Sequence, residues 1–135
     1  MTISSPTYGR VVGTALGYND AIDAVKSLLK DEGFGVLCEI DVTKTLHEKI
    51  GAEFQPYRIL GACNPEFAHR ALSLEPQLGL LLPCNVVVQV QDNRTIVSAI
   101  DARALLSVVG SDRLTPVADE VNARLSRVLD RVAEM

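Results

Sequence analysis

A β-hairpin is predicted by the segment Asn85-Val-Val-Val-Gln-Val-Gln-Asp-Asn-Arg-Thr-Ile-Val-Ser-Ala-Ile100. Two runs rich in β-branched residues flank Asp92-Asn93, a pair that suits a two-residue turn. The register that this turn imposes gathers the aliphatic side chains on one face, through the pairs Val86–Ala99, Val88–Val97 and Val90–Thr95. The other face is largely polar and carries Gln89, Gln91, Arg94, Ile96 and Ser98. Such a hairpin is typical of an antiparallel sheet that is covered on one side only.

Strands and helices alternate on both sides of this hairpin. Strict alternation over 33–42 predicts a strand whose core-facing side chains are Phe34, Val36, Cys38, Ile40 and Val42. Helical spacing of apolar residues, with capping residues at the ends, predicts the helices; the first is capped by Asn19 or Asp20. The predicted order is β-α-β-α-β-α-β-β-α-α, with strands over 8–16, 33–42, 57–60, 85–91 and 94–100 and helices over 20–32, 43–50, 65–74, 102–109 and 115–132.

This order favours an α+β fold with two layers, a largely antiparallel sheet whose helices pack on one face. A parallel, doubly wound sheet is the alternative. The strands of such a sheet are covered on both faces and are therefore continuously apolar, whereas the strands here alternate.

Composition is that of one globular domain spanning 1–135, with a loose N-terminal end over 1–6. The net charge of -4 gives no basic surface for nucleic acid or for anionic membranes. We expect no signal peptide and no membrane span, because no apolar run approaches about 20 residues. A cytoplasmic location follows as an expectation. The three cysteines, an odd number without CxxC spacing, are predicted to be free thiols.

Two cysteine motifs stand at the ends of predicted elements, Tyr57-Arg-Ile-Leu-Gly-Ala-Cys-Asn-Pro65 and Leu82-Pro-Cys-Asn85. Asn64 is a good helix cap, and Pro65 suits the first helical position. Cys63 therefore directly precedes a helix N-terminus, where backbone N–H groups favour a thiolate. If the strand ends are neighbours, Cys84 meets Cys63, and Asn64 and Asn85 flank the same site.

These motifs, together with Gly33-Phe-Gly-Val-Leu-Cys-Glu-Ile-Asp-Val42, resemble domain-of-unknown-function family 302. The resemblance extends from about residue 17 to about residue 132. It implies a compact α+β domain of the TATA-binding-protein-like or helix-grip type, and it implies a homodimer. It implies no activity.

Three functions are compatible with the motifs. The first is binding of a small ligand or a metal around Cys63, Asn64, Cys84 and Asn85, with Tyr57 and Arg58 as weaker candidates for lining the site. The second is a thiol enzyme, redox or nucleophilic, that uses Cys63 with Cys84 as its partner. The third is a structural homodimer in which the cysteines are small apolar core residues.

A metal site would need more ligands than the two thiols. His69 and His47 have the right chemistry, but their spacing matches no metal motif and charged residues surround both on separate helices. Exposed helix histidines are the simpler interpretation. A metal bound by the two cysteines alone, or completed by a second subunit, is a further alternative. A thiol hydrolase needs a general base near its cysteine, and no histidine lies beside either cysteine motif. Binding is therefore ranked slightly above thiol catalysis, and the sequence identifies no cofactor.

Overall fold

A computed structural model describes residues 3–135. The five strands are β1 (Gly9–Thr14), β2 (Gly35–Asp41), β3 (Tyr57–Cys63), β4 (Cys84–Gln91) and β5 (Arg94–Ile100). The five α-helices are α1 (Tyr18–Asp31), α2 (Val42–Ile50), α3 (Pro65–Leu74), α4 (Ala102–Ser107) and α5 (Thr115–Ala133). Two 3₁₀ helices, Pro76–Leu81 and Asp112–Leu114, lie between them. The predicted order of strands and helices is confirmed.

All five strands form one antiparallel sheet in the order β1-β5-β4-β3-β2. The α+β fold is therefore confirmed. The β4–β5 hairpin has the predicted register, with the pairs Val86–Ala99, Val88–Val97 and Val90–Thr95. Asp92 and Asn93 have φ angles of 52° and 60°, which the two-residue hairpin turn requires.

The hydrophobic core lies between one face of the sheet and the helices. The predicted aliphatic face of the hairpin is buried there against α1 and α5. The stripe predicted on the last helix is also buried; it comprises Val117, Val121, Leu125, Val128 and Val132. The sheet thus has a core face and an open face, as its alternating strands predicted.

Capping explains several helix ends. The Asn64 side chain accepts the N–H of Phe67 at 3.3 Å and so begins α3, as predicted. Asp41 caps α2 by accepting the N–H of Lys44 at 3.0 Å. The predicted cap of α1 is wrong, because its N-cap is Gly17 and the helix starts earlier, at Tyr18.

Two other predictions need correction. The register shifts between Val36 and Cys38, so Cys38 faces the open side of the sheet and is exposed rather than buried. Strand β3 continues through Gly61 to Cys63 because its pairing with β4 extends to the Ala62–Cys84 pair. The apolar segment 78–82 lies mostly in the 3₁₀ helix Pro76–Leu81.

The predicted loose end over 1–6 includes residues 1 and 2, which lie outside the described residues. Residues 3–6 form no helix or strand, although the Ser5 hydroxyl accepts the N–H of Val11 at 2.9 Å. Within residues 3–135, no helix combines the length and the apolar character that crossing a membrane demands.

Candidate functional site

Cys63 and Cys84 come together at one end of the sheet. Cys84 begins β4 directly opposite Ala62, the neighbour of Cys63 at the end of β3. Both thiols border a cavity of about 320 Å³, which we call the cysteine cavity. It lies between the end of the sheet and α3, the 3₁₀ helix 76–81, α4 and α5. Its walls are Phe34, Leu37, Ala62, Cys63, Asn64, Phe67, Ala68, Ala71, Leu72, Leu78, Gly79, Leu82, Pro83, Cys84, Ala102, Leu105, Leu106, Val117 and Val121.

The walls of the cysteine cavity are apolar almost throughout. Among residues 3–135, its only side-chain polar groups are the Asn64 amide and the two thiols, and no charged side chain borders it. Asn64 is buried, and its Oδ1 is already occupied by the N–H of Phe67. A lining of this kind favours apolar molecules, because water against it finds few hydrogen-bond partners.

Burial keeps both thiols protonated. It raises the pKa of Cys63, contrary to the expectation that the N-terminus of α3 favours a thiolate there. Burial, and then repulsion from a charged Cys63, raise the pKa of Cys84 to about 11. At neutral pH the cavity wall therefore carries two neutral, weakly polar sulfur atoms rather than a nucleophile.

The two predicted asparagines are not neighbours in the site. Asn64 borders the cavity, whereas Asn85 lies on the open face of the sheet, opposite Gly61. Asn85 is exposed and does not border the cavity. The alternation of β4 explains this, since Cys84 faces the helices and the next residue must face away.

The remaining candidate residues lie elsewhere. Tyr57 is half-buried, and its ring centroid is 5.8 Å from that of Phe54. Arg58 donates to Asp41 at 3.2 Å and borders a separate open cleft that also includes His47. His69 is on the exposed side of α3 and does not line the cysteine cavity. In the part of the chain that the structure describes, no three His, Cys, Asp or Glu side chains group together as metal ligands.

Comparison with known proteins agrees with this architecture. The model of the family described as domain of unknown function DUF302 matches residues 11–132. This chain belongs to the DUF302 family. A crystal structure of an uncharacterized conserved DUF302 protein from Bacillus stearothermophilus is similar to it, with a TM-score of 0.89 and 34% identity over 94% of this chain and 99% of that chain. Comparison with curated proteins gives no significant match. The predicted family is thus confirmed, and its description assigns no activity.

Sequence reasoning missed most of the cavity wall of this DUF302 domain. The inner wall comes from α4 and α5, which are distant in sequence from both cysteine motifs. One signal was available in α3, where Ala68 and Ala71 lie on the core-facing side. Small residues on a buried helix face leave room unless a large neighbour fills it.

Proposed function

We propose that this DUF302 domain binds a small apolar ligand in the cysteine cavity. The observation that supports the proposal most directly is a volume of about 320 Å³ with almost wholly apolar walls at the junction of both cysteine motifs. Ligand sites in proteins have volumes of about 300–1,000 Å³ and are predominantly apolar with a few placed polar groups. Two neutral thiols and one amide fit that description.

The raised thiol pKa values favour binding over thiol catalysis. A nucleophilic or redox cysteine works as a thiolate, and burial opposes the thiolate at both Cys63 and Cys84. A metal bound by this pair alone would have two ligands, fewer than a zinc site uses. An uncharged organic ligand needs neither a thiolate nor a third ligand.

Titration with N-phenyl-1-naphthylamine, a neutral fluorescent probe, tests the proposal. We expect saturable binding with one probe per chain. Cys63→Ser and Cys84→Ser should each weaken binding about tenfold, because a hydroxyl in the wall loses its water when the probe enters. Cys38→Ser is the matched control, since Cys38 is exposed and outside the cavity.

Two results would argue against this function. Absence of saturable binding contradicts the ligand site. If the Cys63 and Cys84 variants lose stability but bind the probe as tightly as the parent, the cysteines are structural. Native mass spectrometry of protein purified without added metal would identify a retained ligand or metal by its mass.

We also propose a homodimer formed through the open face of the sheet. One cross-strand row on this face runs over all five strands and is aliphatic except for one serine; its members are Val11, Ser98, Val87, Ile59 and Ile40. Ile40 is 47% exposed. Burying such a row against its copy would stabilise a dimer, because apolar contact area drives association.

Sedimentation equilibrium tests the dimer. The expected mass is twice the chain mass of 14.6 kDa. Val87→Lys places a charge at the middle of the row and should give the monomer, whereas Ala123→Lys on the exposed side of α5 should leave the dimer intact. A dimer that survives Val87→Lys would contradict this interface.

A further inference from the structure

The lining of the cysteine cavity runs along one end of the sheet. Its walls include Leu37 of β2, Cys63 of β3, Cys84 of β4 and Ala102, which follows β5. These four strands are consecutive in the sheet. Neighbouring strands are about 4.8 Å apart, so the three intervals span about 14 Å. The cavity is therefore a passage that runs across the strand ends from β2 to α4.

The passage has an open outer end and a closed inner end. Leu37 and Leu72 border the cavity and are 70% and 37% exposed, and the lining residue Gly79 is also exposed, so these three lie at its opening. At the other end Ala102 and Leu106 are 2% and 8% exposed and close the passage. An apolar opening that leads to an apolar closed end suits a molecule that enters lengthwise.

Length and volume give the same size for such a molecule. Carbon–carbon bonds of about 1.5 Å advance an extended chain by about 1.3 Å per carbon, so about 14 Å accommodates about eleven carbons. If a methylene group occupies about the 30 Å³ of a water molecule in the liquid, the volume of about 320 Å³ holds about ten. The estimate from length and the estimate from volume both correspond to one extended aliphatic chain.

We propose that the ligand of the cysteine cavity is an unbranched aliphatic chain of about ten carbons, with its polar head left in water between Leu37 and Leu72. This inference rests on the proposed ligand site and adds the class of ligand. No charged side chain borders the passage, so a polar head has no partner inside. The walls supply only dispersion contacts and exclusion of water.

Displacement of N-phenyl-1-naphthylamine by 1-alkanols from hexanol to tetradecanol tests the proposal. Each methylene that leaves water should tighten binding about fourfold. The gain in affinity with each added carbon should continue to about ten carbons and then stop, because further carbons extend past the opening. The chain length at this break is the measured quantity.

Two variants at the closed end should move the break in opposite directions. Ala102→Leu fills part of the passage and should shorten the optimal chain by two or three carbons, on the order of one side chain. Leu106→Ala empties part of it and should lengthen the optimal chain by a similar amount. Leu74→Ala is the matched control for truncation, because Leu74 packs against the core but does not border the cavity.

The outcomes separate this inference from the ligand site itself. Probe binding with no dependence on chain length would overturn the aliphatic chain and leave the ligand site standing. A break that stays in place in both variants would overturn the lengthwise orientation. Failure of the probe to bind would remove the ligand site and the inference together. Should one variant fail to fold, the other still tests the direction of the shift.

Discussion

Asn122 of α5 donates a hydrogen bond of 3.0 Å from Nδ2 to Oδ1 of Asp101, the N-cap of α4. Asn122 Oδ1 in turn accepts the N–H of Ala102 at 2.7 Å. Asp101 Oδ1 also accepts the N–H groups of Arg103 and Ala104, at 2.9 and 3.2 Å. Because Ala102 closes the inner end of the cysteine cavity, this pair fixes the helix that forms that wall.

Asn122→Ala should lower the free energy of unfolding by about 1–3 kcal/mol, because it removes two part-buried hydrogen bonds and leaves the N–H of Ala102 without its acceptor. Urea denaturation measures the change. Asn19→Ala, at an exposed position in the first turn of α1, is the control and should change stability by less than about 0.5 kcal/mol. Equal losses in the two variants would contradict the role of the Asn122–Asp101 pair.

The free energy of unfolding should decrease at acid pH, partly because Asp101 becomes protonated. Burial alone would raise the pKa of Asp101, but hydrogen bonds from Asn122 and from the N–H groups of Ala104 and Arg103 hold it below its ordinary value. A carboxyl whose pKa is lower in the folded chain stabilises the fold above the unfolded value of about 3.9, and the contribution disappears as pH falls through the folded pKa.

In Asp101→Asn the loss of stability below about pH 4 should therefore be shallower than in the parent chain. Thermal unfolding recorded from pH 7 to pH 2 measures it. Asp112→Asn, which removes an exposed carboxylate, should follow the parent curve. Parallel curves for the parent and Asp101→Asn would show that this carboxyl has no part in the acid transition.

The three cysteines should differ in reactivity in the order of their exposure. Cys38 is exposed, whereas Cys63 and Cys84 are part-buried. Alkylation by iodoacetamide, followed by peptide mass spectrometry, should modify Cys38 first. The pH midpoint for Cys63 should lie above the free-thiol value of about 8.5, and that for Cys84 should be higher still, near the pKa of about 11. A midpoint for Cys63 below about 8.5 would favour the thiol enzyme.

Gly61→Ala should destabilise the sheet by about 1–3 kcal/mol through overpacking. A Cβ atom at Gly61 would lie 2.5 Å from Sγ of Cys38 and 2.9 Å from Cγ of Pro83. Gly35→Ala is the matched control, because a Cβ there meets no atom within 4 Å.

A double-mutant cycle isolates the contact with Cys38. In a Cys38→Ala background Gly61→Ala should be less destabilising, because the nearest obstructing atom is gone. Strictly additive effects would mean that Pro83 alone accounts for the loss.

Local chemistry explains which parts of the fold could be predicted. The Asp92-Asn93 turn, the Asn64-Pro65 cap and the stripe on α5 are each specified by residues within a few positions of one another. Such features need only turn geometry, capping and periodicity. The proximity of Cys63 and Cys84 could be stated only as a condition, because it depends on the pairing of β3 with β4, and the two cysteines are distant in sequence.

The remainder depended on contacts between distant residues. The register shift beside Cys38 is not visible in the alternation of 33–42, because an inserted residue leaves the apolar pattern intact until pairing is known. Asn85 is an exception, because the predicted hairpin register, with Val86 facing the core, already places Asn85 on the opposite face. The cavity exists only once α4 and α5 have packed against the sheet. No local sequence pattern predicts that side chains from four elements will leave an unfilled space between them.

The sheet order has a consequence for how the chain folds. Strand β3 pairs with β2, β4 with β3, and β5 with β4. These three ladders join strands that follow one another in the chain, so they can form early through short loop closures. Strand β1 has no partner until β5 exists, since Thr14 pairs with Thr95 and Gly9 with Ile100. We expect β1 to join last, both on the ribosome and during refolding from urea. In a pulsed hydrogen-exchange experiment the amides of β4 should gain protection before those of β1. The reverse order would contradict this expectation, because it would mean that the longest loop closes first.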